Sequence, residues 1–150
     1  MNEQLAAKLA DYPVVTPFPV QWSDMDMARH VNNVIYLRWA ETGRVSYLDE
    51  LGLAERIGGD LTPVVAKLEV KYRFPVTYPD LMLIGTRVTR IDGNRFWMEN
   101  ALVSEKKADV ACRVTSELVL FNTITQKKAD MPVWLMDAIL AQEGWAGGGQ

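Results

Sequence analysis

Residues 22–33 read Trp-Ser-Asp-Met-Asp-Met-Ala-Arg-His-Val-Asn-Asn, and no other stretch of the chain gathers as much chemistry. The run holds two carboxylates, Asp24 and Asp26, the only histidine, His30, and two adjacent asparagines, Asn32 and Asn33. A carboxylate can act as a nucleophile or as a general base. The asparagines stand where a helix would begin, and a helix N-terminus leaves backbone N–H groups unpaired and partially positive. Such an end can hold an anion or stabilise a developing oxyanion. The same residues also have a plain structural use, because Asp and Asn ahead of a helix commonly cap it. A lone loop histidine is commonly a hydrogen-bonding structural residue. The Asp24-x-Asp26 pair lacks the Gly and distal Glu of a calcium loop. One histidine and one cysteine do not supply a His/Cys zinc set. No metal site and no cofactor are expected.

The element that would position this run is a long helix. Asn32 or Asn33 can cap it, and the segment from there to about Leu51 is free of proline. Tyr36, Ala40, Gly43, Tyr47 and Leu51 recur at helical spacing and make one face of a rod about 30 Å long. Gly43 on that face predicts a close approach of helix to sheet, and Gly52, Gly58 and Gly59 are expected to end the unit. Glu41 and Arg44 are spaced for an ion pair along the helix.

Around this helix the pattern is strand-rich. Residues 1–12 predict a short amphipathic helix with Leu5 and Leu9 inward. Residues 14–22, with Pro17 and Pro19, predict an edge strand. In residues 66–74 Ala, Leu, Val, Tyr and Phe alternate with Lys, Glu, Lys and Arg, which predicts a strand with one buried and one wet face. The wet face, Lys67 to Arg73, reads as solvated. Further strands are expected over 81–91, 95–104 and 110–121, with Asp92-Gly93 as a hairpin turn. A short helix with Pro132 in its first turn and a Gly147-Gly148-Gly149 tail follow. Short connections imply antiparallel neighbours, so the long helix should bury its stripe on one face of a curved antiparallel sheet, an α+β arrangement.

Composition bounds what this fold can do. A chain of 150 residues fits one domain and can bury roughly two-thirds of its unfolded surface without staples. Sixteen Lys and Arg against nineteen Asp and Glu leave a net charge of −3, which offers no field for non-specific nucleic-acid binding. The single cysteine, Cys112, excludes an intrachain disulfide and reads as a core residue, fitting a reducing compartment. Residues 1–11 lack a basic region followed by an apolar run, and no stretch approaches the ~20 apolar residues of a span. A cytoplasmic protein with no membrane partner is expected.

The run Asp24-x-Asp26-x-x-x-His30-Val31-Asn32-Asn33-x-x-Tyr36-x-x-x-x-Glu41 resembles the signature of hotdog-fold acyl-CoA thioesterases of the 4-hydroxybenzoyl-CoA thioesterase type. The resemblance extends over roughly residues 14–132. It implies a single hotdog domain over residues 1–150 (core about 14–142), a curved antiparallel sheet wrapped around one long central helix. It implies hydrolysis of an acyl-CoA thioester to free acid and coenzyme A by a homodimer or homotetramer. By the resemblance Asp26 is the catalytic carboxylate, the backbone N–H of Asn33 polarises the thioester carbonyl, and His30 orders the loop or joins catalysis. Tyr36 and Val64 are then substrate-pocket residues, with the strand from Thr62 running beside the thioester. Arg29 departs from the Gly often found before the histidine, Gln21 from a frequent Arg, and Ala28 from the Asn of related plant carrier-protein thioesterases. Alternatives are a non-catalytic acyl-CoA-binding hotdog protein, a thioesterase acting on acyl carrier protein, and a hotdog dehydratase, which usually pairs its histidine with an acid placed elsewhere.

Overall fold

The computed structural model describes residues 1–53 and 60–145. Gly58, Gly59 and the triple-glycine tail lie outside the described residues. In chain order the elements are α1 (Glu3–Leu9), β1 (Val14–Pro19), a 3₁₀ turn (Trp22–Asp24), α2 (Asn33–Glu50), β2 (Leu61–Tyr72), β3 (Leu81–Asp92), β4 (Arg95–Ser104), β5 (Asp109–Asn122), β6 (Lys127–Lys128) and α3 (Val133–Glu143). The strands make one antiparallel sheet in the order β1-β3-β4-β5-β2, and the two-residue β6 adds to β5.

β1 lies on an edge, as its prolines require, but stops at Pro19 rather than Trp22. The N–H of Val20 leaves the ladder and donates to the Asp80 carbonyl, and Trp22 opens the 3₁₀ turn. α2 lies across β1, β3, β4 and β5 and buries Tyr36, Trp39, Ala40, Gly43, Arg44, Tyr47 and Leu48. The expected close approach is at Gly43, where a Cβ would come 2.5 Å from Thr86 Oγ1 and 2.6 Å from Ile84 Cγ2. Fully buried side chains of the size of Phe96 or Leu120 contribute about 1.5–3 kcal/mol each in apolar burial.

Three expectations need correction. Glu41 and Arg44 do not pair: among the described residues no ion pair joins them. Position 44 falls on the stripe between Ala40 and Leu48, so its side chain is drawn inward, and its guanidinium donates to Ser116 Oγ at 3.1 Å. Burial lowers the Arg44 pKa, while the charge of Glu41 opposes that shift. The second correction is β2. Neither of its faces is closed in this chain, and Val64, Val65, Leu68 and Tyr72 are between 38% and 48% exposed. Among the described residues only β5 pairs with β2, which leaves its outer edge without a partner among them. The third is Pro132, which caps α3 instead of entering its first turn.

β3 and β4 alternate weakly because they are covered on both sides. Met82, Ile84 and Leu102 pack with α2, while Leu83, Ala101 and Val103 pack with Leu5, Leu9 and Tyr12 around α1. α3 closes the far end, with Leu135 and Ile139 against Tyr47, Phe96 and Leu120. Its Glu143 accepts from the Tyr47 hydroxyl at 2.6 Å and the Val88 N–H at 2.9 Å. Cys112 is buried, and burial pushes its thiol up to about 12. Among the described residues, no helix is long and apolar enough to cross a membrane.

Candidate active site

The chemistry-bearing run folds as a small closed hairpin docked ahead of α2. Met25 and Val31 face each other in an antiparallel bridge, and the Asp26 N–H donates to the His30 carbonyl at 3.0 Å. The turn closes when the Arg29 N–H donates to the Asp26 carbonyl at 3.0 Å. Arg29 adopts φ 62°, in the left-handed region where glycine is unstrained. This gives a physical reason for a glycine before the histidine, and the arginine carries a cost of roughly 1–2 kcal/mol there.

The two aspartates have different employment. One Asp24 carboxylate oxygen accepts from the Gln21 N–H at 2.8 Å, and its carbonyl accepts from the Asn32 N–H at 2.9 Å. Asp24 is therefore built into the hairpin's base. Asp26 is exposed and uses Oδ1 to accept from the Ala28 N–H at 2.9 Å. Its Oδ2 makes no hydrogen bond with a described residue. His30 is exposed, and its carbonyl rather than its imidazole braces the hairpin.

Asn32 is the N-cap of α2: its Oδ1 accepts from the Val34 N–H at 3.1 Å, and its carbonyl accepts from the Ile35 N–H. This leaves the Asn33 N–H, at the first helical position, with no acceptor among the described residues. The other side of the same residue is fixed, because the Tyr72 hydroxyl donates to the Asn33 carbonyl at 3.0 Å. An unpaired amide at the positive end of an 18-residue helix, held in a set orientation, is an oxyanion donor in form.

Asn33 borders a cavity of about 310 Å³ lined also by Val31, Tyr36, Tyr72 and residues 73–75. Tyr36 is almost wholly buried and accepts a hydrogen bond from the Val76 N–H at 3.0 Å. Burial pushes its pKa up. Its ring packs edge-on against Trp39 and Tyr72, with centroids 5.2 Å apart in each case. The Val31 N–H donates to the Val76 carbonyl, so the segment after β2 grips both the hairpin and the helix start.

Asn33 and Tyr36 thus meet in one cavity, and Asp26 and His30 belong to the hairpin whose Val31 forms its wall. Val64 is not brought to them in this chain. It sits eight residues up β2 from Tyr72, roughly 25 Å away along the strand. Tyr72, Arg73, Phe74 and Pro75 were not singled out by sequence reasoning as site residues. Their only local signal is the end of an alternating run, and it takes the sheet order to bring them beside residues 31–36. Among the described residues, no group of three His, Cys, Asp or Glu side chains gathers as a metal site.

A curled antiparallel sheet holding one long helix, with an apolar cavity at that helix's N-terminus, defines the hotdog fold of thioesterases. The family model of the Thioesterase-like superfamily matches residues 20–139, and the chain belongs to that family. The chain is 24% identical over 113 residues to the long-chain acyl-CoA thioesterase FadM of Escherichia coli K12, covering 75% of this chain and 86% of that protein. It superposes with a TM-score of 0.80 on the PA5185 protein of Pseudomonas aeruginosa PAO1, at 27% identity over 89% of this chain and 94% of that one. It also superposes, with a TM-score of 0.79, on a thioesterase of Thermus thermophilus complexed with coenzyme A and Zn, at 26% identity over 91% and 98% of the two chains.

Proposed function

We infer that the protein hydrolyses acyl-CoA thioesters to a free acid and coenzyme A, with Asp26 and the Asn33 N–H as its catalytic groups. The observation that carries this reading is the Asn33 amide. It is unpaired at the start of α2, its residue is fixed through Tyr72, and that residue lines an apolar cavity beside the hairpin that carries Asp26. The relatives support the substrate class, since one is a long-chain acyl-CoA thioesterase and another holds coenzyme A.

The chemistry fits the groups. As a nucleophile reaches the thioester carbon, negative charge moves to the carbonyl oxygen, and the Asn33 N–H with the helix dipole meets it there. Asp26 either takes the proton of an attacking water or attacks the carbon itself, forming an acyl intermediate that water then opens. In both routes the C–S bond breaks and the thiolate leaves to take up a proton. Tyr36 walls the acyl pocket. His30 orders the hairpin through its carbonyl. The catalytic pair needs no metal or redox group. The Asp26 oxygen that accepts from the Ala28 N–H would serve a pure acyl-CoA binder too, but an amide would do as well, so the negative charge favours hydrolysis over that alternative.

A homodimer completes the reading. β2 offers an edge with no partner among the described residues and the exposed apolar side chains Val64, Val65, Leu68 and Tyr72. Antiparallel pairing of two β2 strands would carry Val64 of each chain toward the Tyr72 end of the other, and so toward its cavity.

Thiol release from short, long and aromatic acyl-CoAs tests the substrate class. Turnover of at least one acyl-CoA by the wild-type protein, with free acid as the product, is expected. Intact acyl-CoA after prolonged incubation across the panel would refute it.

A further inference from the structure

The cavity changes character from one end to the other. Val31 and Tyr36 are buried, while the Arg73 side chain is 49% exposed, so Arg73 marks the mouth. It is held by one nitrogen only: NH1 donates to Asp109 Oδ1 at 3.2 Å and to the Val110 carbonyl at 3.1 Å. The remaining guanidinium nitrogens make no hydrogen bond with a described residue. Lys107, from the turn between β4 and β5, stands over the Phe74 ring with its ammonium 5.6 Å from the centroid. Phe74 lines the same cavity, so cations from two elements flank one aromatic wall. Lys8, from α1, shares Asp109 at 3.3 Å. Two cations, Lys8 and Arg73, thus share the Asp109 carboxylate, while Lys107 stands at Phe74. The Val110 N–H first, then Lys8 and Arg73, hold Asp109 below the usual carboxylate range against the opposing effect of burial. Another carboxylate of this region, Asp80, is engaged by Ser104 and by the N–H groups of Leu81 and Lys106, and Glu105 is exposed on the turn that carries Lys107.

A guanidinium anchored by one nitrogen and open on the others is pre-organised for bidentate phosphate binding, and a nearby ammonium adds a point charge. We propose that Arg73 and Lys107 are specificity-determining residues that bind a phosphate of the substrate's carrier half. They would let the site distinguish a phosphorylated pantetheine thioester from a bare one. The inference rests on the thioester reading of the cavity. In that reading the acyl group runs inward from the exposed Asn33 past the buried Val31 and Tyr36, and the phosphate lies outward, where Arg73 and Lys107 can meet it. Coenzyme A and carrier-protein-borne phosphopantetheine both present such a phosphate. Asp109 is the positioning residue that keeps Arg73 at the mouth.

The test compares kcat/KM for one acyl group carried on coenzyme A, on pantetheine and on acyl carrier protein, with calorimetric titration of coenzyme A alongside. In Arg73→Gln the ratio of coenzyme A to pantetheine kcat/KM is expected to fall about tenfold or more, through KM, with partial recovery in Arg73→Lys. Lys107→Gln should lower the ratio less. Coenzyme A affinity should fall in parallel and weaken with added salt. A carrier-protein substrate with the same Arg73 dependence supports the phosphate subsite and identifies its source. A ratio that stays at the wild-type value in both variants, whatever the absolute rates, overturns the proposal while leaving hydrolysis intact. Arg73-dependent coenzyme A binding by a protein that hydrolyses no thioester would instead sink the catalytic reading and keep the subsite.

Discussion

At the residue scale, two aspartates two positions apart are separated in role by their hydrogen bonds. Asp24 is half-buried and ties the hairpin's base, its Oδ2 accepting from the Gln21 N–H and its backbone carbonyl from the Asn32 N–H, whereas Asp26 is exposed and braces only the turn through Oδ1. Asn32→Ala removes the cap that leaves Asn33 as the open amide. It should cost about 1 kcal/mol in urea unfolding, with a fall in turnover larger than that loss explains. Arg29→Gly relieves the left-handed backbone at φ 62°. Its effect on unfolding free energy should stay within about 1 kcal/mol, because glycine's extra unfolded-state entropy offsets the strain removed; a larger loss would mean that the Arg29 side chain stabilises the hairpin. Cys112, with its thiol near 12, should resist thiol reagents in the native protein at pH 8 and react once unfolded. The run from Asp24 to Tyr36 was legible because its members are neighbours in the chain. Arg73 and Phe74 were not, since an alternating Lys-Glu-Lys-Arg pattern looks the same whether its last members face solvent or line a cavity formed by topology.

At the element scale, α2 is held against the sheet by the absence of a side chain at Gly43. Gly43→Ala would put a methyl group 2.5 Å from Thr86 Oγ1 and 2.8 Å from Asn100 Nδ2, both buried. It should destabilise by about 1–3 kcal/mol, despite alanine's better helix propensity. A denaturation midpoint at or above wild type would show that the helix can lift without loss. Periodicity located this helix to within a residue or two, and Asp92-Gly93 located the β3–β4 hairpin. It could not foresee that Arg44 turns inward, because the Ser116 hydroxyl that receives it lies on a strand 72 positions away. It misjudged β2 for a related reason: alternation signals an apolar face but not what covers it.

At the scale of the whole molecule, that uncovered face is the strongest sign of assembly. Sedimentation should give at least twice the mass of the 16.9 kDa chain, and Leu68→Asp should yield monomers with little activity. A fully active monomer would remove the partner from the account. α1 is tied to the outer face through Tyr12, whose hydroxyl bonds Glu99 and Arg113. Burial first, then the Glu99 carboxylate, pushes the Tyr12 pKa up to about 12 from 10. The folded state thus favours the neutral phenol, so this contribution is complete below pH 10 and fades as pH rises from 10 toward 12. Urea unfolding across that window should show the decline, and Tyr12→Phe should flatten it.

The central claim is that Asp26 does chemistry and not merely turn the chain. Asp26→Asn keeps the side-chain oxygen that accepts from the Ala28 N–H, and so preserves the hairpin, while removing the negative charge. Single-turnover thiol release from the acyl-CoA that wild type hydrolyses fastest is the direct measurement, with circular dichroism and coenzyme A affinity taken on the same samples. The account predicts native spectra, retained affinity and a rate lower by about 100-fold or more, in the range of a lost catalytic acid–base group. A rate within a few-fold of wild type would contradict it and move the reacting group elsewhere in the cavity.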